Sequence, residues 1–197
     1  MKSWYERYRE LMLDGSWIGL EAPNPNDAGP YFCTPVGAQI IGWDNGIHYC
    51  FLDGFGQMVF CVNPEPCGEQ YVYPLAQDFR DFLRLILAVG NTNTLQQMIG
   101  WDKEQYLEFR RSEETVSYDN SNEVSAVLDA ISDKLGLTPM EQPFEYVKKI
   151  QQEFPYQNIV YSNEYYDTLG LECPDGSEPE TENGAEFAAV SFEFETE

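Results

Sequence analysis

His48 is the only histidine in this chain of 197 residues, and it stands two positions from Cys50. In an extended segment that spacing sends both side chains to the same face. Imidazole and thiol together can do two kinds of chemistry. A neighbouring histidine can take the proton of a cysteine nucleophile, and both groups ligate zinc. A zinc centre needs three or four ligands at suitable spacing. The remaining cysteines, Cys33, Cys61, Cys67 and Cys173, form no C-x-x-C pair, and Cys61 and Cys67 have five residues between them. A dyad of His48 with Cys33, Cys61 or Cys67 stays open, against the alternative of small buried thiols. Paired carboxylates could perform glycoside chemistry, but among 34 acidic residues a pair singles out nothing. No glycine-rich phosphate loop is present. The expectation is a protein with no catalytic residues, no metal site and no cofactor, a cysteine-dependent enzyme being the remote alternative.

Charge points instead to binding. The chain carries 11 Lys and Arg against 34 Asp and Glu, a net charge of −23. Such a field repels nucleic acid and anionic membranes and attracts basic partners. Residues 161–197 hold eleven acids and no base, which leaves 23 acids against all 11 bases in the rest. Between Arg9 and Arg80 there is no Lys or Arg at all. No apolar run reaches the roughly 18 to 20 residues of a membrane span. The start, Met-Lys-Ser-Trp-Tyr-Glu-Arg, lacks the apolar stretch of a signal peptide. The expectation is a cytoplasmic protein whose five cysteines are thiols.

The elements that would position these groups read as α+β. Ser3 and Glu6 have capping-box spacing at the head of a first helix, closed by Asp14-Gly15. Residues 21–38 are rich in turn formers. Strands follow over 38–43, 47–53 and 57–63, the last two joined through Gly54-Phe55-Gly56, and a short one precedes Pro74. The period then changes to 3.6. Phe79, Phe82, Leu83, Ile86 and Leu87 mark an amphipathic helix. Thr94 is a cap candidate for the next, and 102–111 for another. Val124, Val127, Leu128, Ile131 and Leu135 form a stripe behind Ser121 and Asn122. Thr138-Pro139-Met140-Glu141 reads as cap, first-turn proline and capping-box acid for a last helix. The expected architecture is a central, mostly antiparallel sheet with helices on one side and extra C-terminal helices. Residues 1–160 form one domain and 161–197 an acidic, partly disordered segment. Residues 171–186 are too polar to offset their ordering entropy, and 187–194 could add an edge strand.

Three consecutive pieces carry a family resemblance. They are Gly42-Trp43-Asp44-Asn45-Gly46 leading into Ile47-His48-Tyr49-Cys50-Phe51-Leu52-Asp53; Gly56-Gln57-Met58-Val59-Phe60-Cys61-Val62-Asn63; and Tyr73-Pro74-Leu75-Ala76-Gln77-Asp78-Phe79-Arg80-Asp81-Phe82-Leu83. Their order resembles the SUKH superfamily, which includes fungal glucan-synthesis regulators and many bacterial toxin-immunity proteins. The resemblance covers about residues 38–90. The family's N-terminal Leu-Pro-x-x-Tyr signature is missing, and the helices over 94–160 lie beyond the usual core, as in a divergent member with a C-terminal extension. The resemblance implies an immunity protein that neutralises a toxin, or a regulatory scaffold or adaptor.

A basic, nuclease-type toxin suits the charge, because a nuclease cleft is positive in order to hold phosphate. The candidate contact residues lie in and around the base-free β segment. Asp44, Asn45, Asp53, Glu65 and Glu69 supply an anionic surface, and Trp43 and Phe55 are aromatic candidates for buried anchors. For Trp43 the competing role is ordinary core packing.

Overall fold

A computed structural model describes residues 2–24, 30–66, 68–119 and 121–174. Cys67, and the strand expected over 187–194, lie outside the described residues. The fold is α+β, built on a four-stranded antiparallel meander in the order β1-β2-β3-β4. The strands are β1 (Ala38–Asp44), β2 (Ile47–Leu52), β3 (Val59–Val62) and β4 (Val72–Ala76). A single row of register partners, Trp43, His48, Val62 and Val72, crosses all four.

Two local irregularities have clear causes. The register of β1 slips at Ile41, and the next residue is glycine because a Cβ on Gly42 would lie 2.3 Å from Leu20 Cδ1. Pro74 sits inside β4 opposite Phe60. A proline gives the ladder no N–H and is confined to edges, and β4 is an edge strand.

Alternation along β2 divides the core in two. Ile47, Tyr49 and Phe51 face the helices, whereas Cys50 and Leu52 face the opposite layer with Cys33, Phe60, Val62 and Val72. His48 shares the second face by the same alternation.

The helix side is led by α2 (Phe79–Val89), capped by the Asp78 side chain, which accepts from Asp81 N at 2.8 Å. It buries Phe79, Phe82, Leu83, Leu85, Ile86 and Val89. Beside it lie α1 (Trp4–Arg9), α6 (Asn122–Leu135) and α7 (Pro143–Glu153). The Ser3–Glu6 capping box is formed, but α1 is shorter than expected. Met12 enters the left-handed region at φ 51, and Asp14 caps a separate 3₁₀ turn, Gly15–Ile18. The next helices are α3 (Thr92–Gly100), α4 (Lys103–Arg111) and a short α5 (Glu113–Asp119) that the sequence reading does not anticipate.

Two expected caps move. Asn91, not Thr94, caps α3: its Oδ1 accepts from both Thr94 N and Thr94 Oγ1. Helix α7 begins at Pro143, not after Thr138. Residues 138–140 are tied to α2 instead, with Met140 N donating to Arg84 O at 3.0 Å and Arg84 Nε donating to Thr138 O at 3.2 Å.

The second sheet face has a cover of its own. Phe154 and Ile159 are buried there, with Tyr31, Phe32, Tyr71, Tyr156, Tyr161 and Tyr165 packed around them. The last helix, α8 (Asn163–Leu169), adds Tyr165, which stacks on Tyr161 at 3.9 Å between ring centroids. Among the described residues no helix is long and apolar enough to cross a membrane.

Candidate functional site

Strand β1 turns into β2 through Asn45 and Gly46, both at positive φ (47° and 84°). Two left-handed residues define the tight hairpin turn that Asn-Gly favours. The turn fixes Asp44 at the end of β1, facing the start of α3. Asp44 is only 8% exposed. Its Oδ2 accepts from Thr92 Oγ1 (3.1 Å) and Gln96 Nε2 (3.2 Å), and its Oδ1 from Asn45 Nδ2 (3.0 Å). Thr92 Oγ1 also lies 2.6 Å from Gly19 O, so its single hydroxyl proton is shared between that carbonyl and Asp44 Oδ2, and Thr92 at the start of α3 sits between the hairpin and the turn after Ile18. Gly19 itself sits at φ +68, and a Cβ there would lie 2.7 Å from Asp44 Oδ2.

A cleft of about 420 Å³ opens above this carboxylate. Asn91 and Thr115 are its buried polar walls; Asn45, Asn93 and Glu114 lie toward solvent; Phe109 and Tyr118 supply aromatic surface. The Tyr118 hydroxyl donates to Trp17 O at 2.8 Å and joins α5 to the 3₁₀ turn. Of the seven buried polar or charged residues among those described, five (Asp44, Asn91, Thr92, Thr94 and Thr115) gather here.

Burial raises the Asp44 carboxyl above the usual range, and the charge of Glu21 adds to the rise, while the bonds from Thr92, Gln96 and Asn45 oppose it. All three of those donors are neutral. No Lys or Arg among the described residues lines the cleft. The nearby Arg110 guanidinium donates to Val89 O at 2.8 Å.

The other two buried polar groups are Thr34 and His48. His48 Nε2 is 3.4 Å from Thr34 Oγ1, and its Nδ1 is buried without a hydrogen-bond partner. Its ring lies against Tyr31 (5.6 Å) and Trp43 (4.9 Å). Burial pushes the imidazole down to about 4 and the Cys33 thiol up to about 11; Cys50 is raised further by the same cause. An activated thiolate beside an imidazolium needs shifts in the opposite directions. Cys61 faces the helix side, across the sheet from His48. Among the described residues no three His, Cys, Asp or Glu groups converge on a point that could hold a metal.

No family model matches the chain, and neither the curated proteins nor the solved structures include a match.

The seven residues singled out for partner contact do not form one patch. In a meander the β1–β2 and β3–β4 turns lie at one end, so Asp44, Asn45, Glu65 and Glu69 share it. Asp53 and Phe55, in the β2–β3 turn, lie at the other end. There they line a smaller hollow of about 200 Å³ with Gly37 and Ile159. Asn45, Asp53, Glu65 and Glu69 are exposed. Trp43 and Phe55 are half-buried and engaged in packing: Trp43 on Tyr31 and His48, and Phe55 on Phe60 (5.5 Å) and Phe154 (5.3 Å). Sequence reasoning missed Asn91, Asn93, Thr115 and Tyr118. The only local signal was the polar run Asn91-Thr92-Asn93-Thr94 set between two apolar helical stripes.

Proposed function

We propose that this protein is a non-catalytic binding module for a basic protein, docked at the end of the sheet that carries the β1–β2 and β3–β4 turns. The observation that supports this most strongly is the charge placement at that end. A buried Asp44 carboxylate is met by neutral donors alone, Glu65 and Glu69 are exposed in the β3–β4 connection at the same end of the sheet, and the whole segment between Arg9 and Arg80 lacks a positive side chain. A cationic partner lowers the electrostatic cost of this arrangement, and the field draws it in. Steering of this kind raises association rates by roughly 10- to 10³-fold at low salt. The resemblance over residues 38–90 suggests the partner class, a nuclease-type toxin whose phosphate-holding cleft is itself positive.

The test is isolation of the complex from native cells at low salt, followed by identification of the bound protein. A basic partner that elutes as salt is raised supports the reading. A neutral or acidic partner, or retention indifferent to salt, overturns it.

A further inference from the structure

We propose that the cleft above Asp44 is an arginine-binding site, which receives one guanidinium side chain from the basic partner. The proposal rests on the binding role inferred above and names the chemistry that the site selects.

The cleft falls within the 300–1,000 Å³ range of small-ligand sites and holds far more than a water molecule. Its floor is an acceptor with capacity left over. An ionised carboxylate offers about four lone-pair sites, and Asp44 uses at most three: Oδ2 accepts from Gln96 Nε2 and faces the Thr92 hydroxyl, whose one proton also faces the nearer Gly19 O, and Oδ1 accepts from Asn45 Nδ2. The vacant position is on Oδ1, beside Asn45. Glu114 provides a second carboxylate at the rim, and the amide oxygens of Asn45 and Asn93 are further acceptors. The acceptors are therefore spread round the cleft instead of being concentrated at one point.

That layout distinguishes two cations. Lysine presents a compact, strongly hydrated ammonium, which can satisfy one end of such a cleft. Arginine presents five N–H donors in a rigid planar fork and is more weakly hydrated. It can bond Oδ1 of Asp44 and the rim acceptors together. Its flat face also needs an aromatic surface, and Phe109 and Tyr118 line the walls. Phe109 is braced by Trp101 at 4.7 Å, and Tyr118 by its bond to Trp17 O, so both rings are held in place before a ligand arrives. No Lys or Arg among the described residues lines the cleft. A bound guanidinium would also counter the burial and the Glu21 charge that now raise the Asp44 carboxyl.

The test is a nuclear magnetic resonance titration of the full-length protein with Nα-acetyl-arginine amide and, separately, Nα-acetyl-lysine amide. The expected result is saturable shifts confined to the backbone amides of Asn45, Asn93, Thr115 and Tyr118. The arginine probe should bind at least about threefold more tightly than the lysine probe. Asp44→Asn should weaken arginine binding about tenfold or more. Glu114→Gln, at an exposed position that leaves the Asp44 contacts intact, should weaken it severalfold and keeps the test decisive if the Asp44 variant does not fold. Equal affinity for both probes, shifts scattered over the acidic surface, or indifference to both substitutions would overturn the proposal. If the probes fail but a basic protein still binds the unaltered chain in a salt-dependent manner, the arginine site falls and the binding role stands. If the arginine probe binds as expected and the native partner proves acidic, the site stands and the partner class falls.

Discussion

Replacing His48 should remove a pH dependence that the parent protein shows. The ring is fully buried, has one partnerless nitrogen and is wedged between Tyr31 and Trp43, so the fold holds it neutral, at about 4 against an ordinary 6.5. A base whose value is depressed on folding supplies stability that is present above the unfolded value. That stability is lost as pH falls through 6.5 toward 4, because the unfolded chain takes up the proton first. The shift of about 2.5 units at 1.36 kcal/mol each corresponds to about 3 kcal/mol lost across this window. The assay is urea unfolding followed by tryptophan fluorescence at intervals from pH 7 to 4, for the parent and for His48→Gln. Acidic groups titrate in both proteins, so the difference between the two curves isolates the imidazole. The chain has a single histidine, and its ring proton resonance gives the titration directly. Parallel stability curves, or a ring that titrates near 6.5, would refute the burial argument.

Four further outcomes follow from the same contacts. Asp44→Asn should gain on the parent as pH rises from 4 to 7, because burial raises the Asp44 carboxyl and the parent loses that part of its stability as the group ionises; urea midpoints across that range are the check. Gly19→Ala places a Cβ 2.3 Å from Thr92 Oγ1 at φ +68 and should cost about 2 kcal/mol or more, seen as a lowered Tm. Phe154→Ala removes ring contacts with Phe55, Phe60 and Tyr156 and should cost about 3–5 kcal/mol; a change under 1 kcal/mol would mean that the second sheet face is not part of the cooperative core. Iodoacetamide at pH 8 should label Cys173 in the folded protein and spare the buried Cys33 and Cys50, as mapped by mass spectrometry. Fast labelling of Cys33 that disappears in His48→Ala would revive the cysteine-nucleophile alternative.

The parts of the fold that were legible in the sequence are those whose signal is local. The two hairpins carry their own turn residues, Asn45-Gly46 and Gly54-Phe55-Gly56, and α2 and α6 have apolar stripes long enough to show a period of 3.6. Helix α5 was not legible because it is seven residues long and starts with two glutamates, too short a span for a stripe to emerge. The sequence pattern places the start of α7 four residues early because Thr138-Pro139-Met140-Glu141 has the pattern of a cap and first turn, whereas 138–140 are tied to α2 and Pro143 opens the helix. Half of the candidate site could be read at the Asp44-Asn45 turn. The other half comes from Asn91, Thr92, Thr115 and Tyr118, some 45 to 75 positions along the chain. No spacing rule links residues that meet only through tertiary packing. Trp43 and Phe55 could be read as aromatic, but their packing partners could not: Tyr31 lies in a loop without periodicity, and Phe154 continues the helical spacing of Phe144, Val147 and Ile150 yet packs on the opposite sheet face from Phe144 and Val147.

Stopped-flow association of the isolated partner with the full-length protein tests the binding role most directly. The rate should fall about tenfold or more between low and physiological salt, and Glu65→Lys with Glu69→Lys should slow association while leaving dissociation nearly unchanged. Removing residues 172–197, with their share of the acids, should also act mainly on association. A rate that ignores salt, the charge reversals and the truncation alike would contradict electrostatic docking and leave the acidity of the chain with no role in recognition.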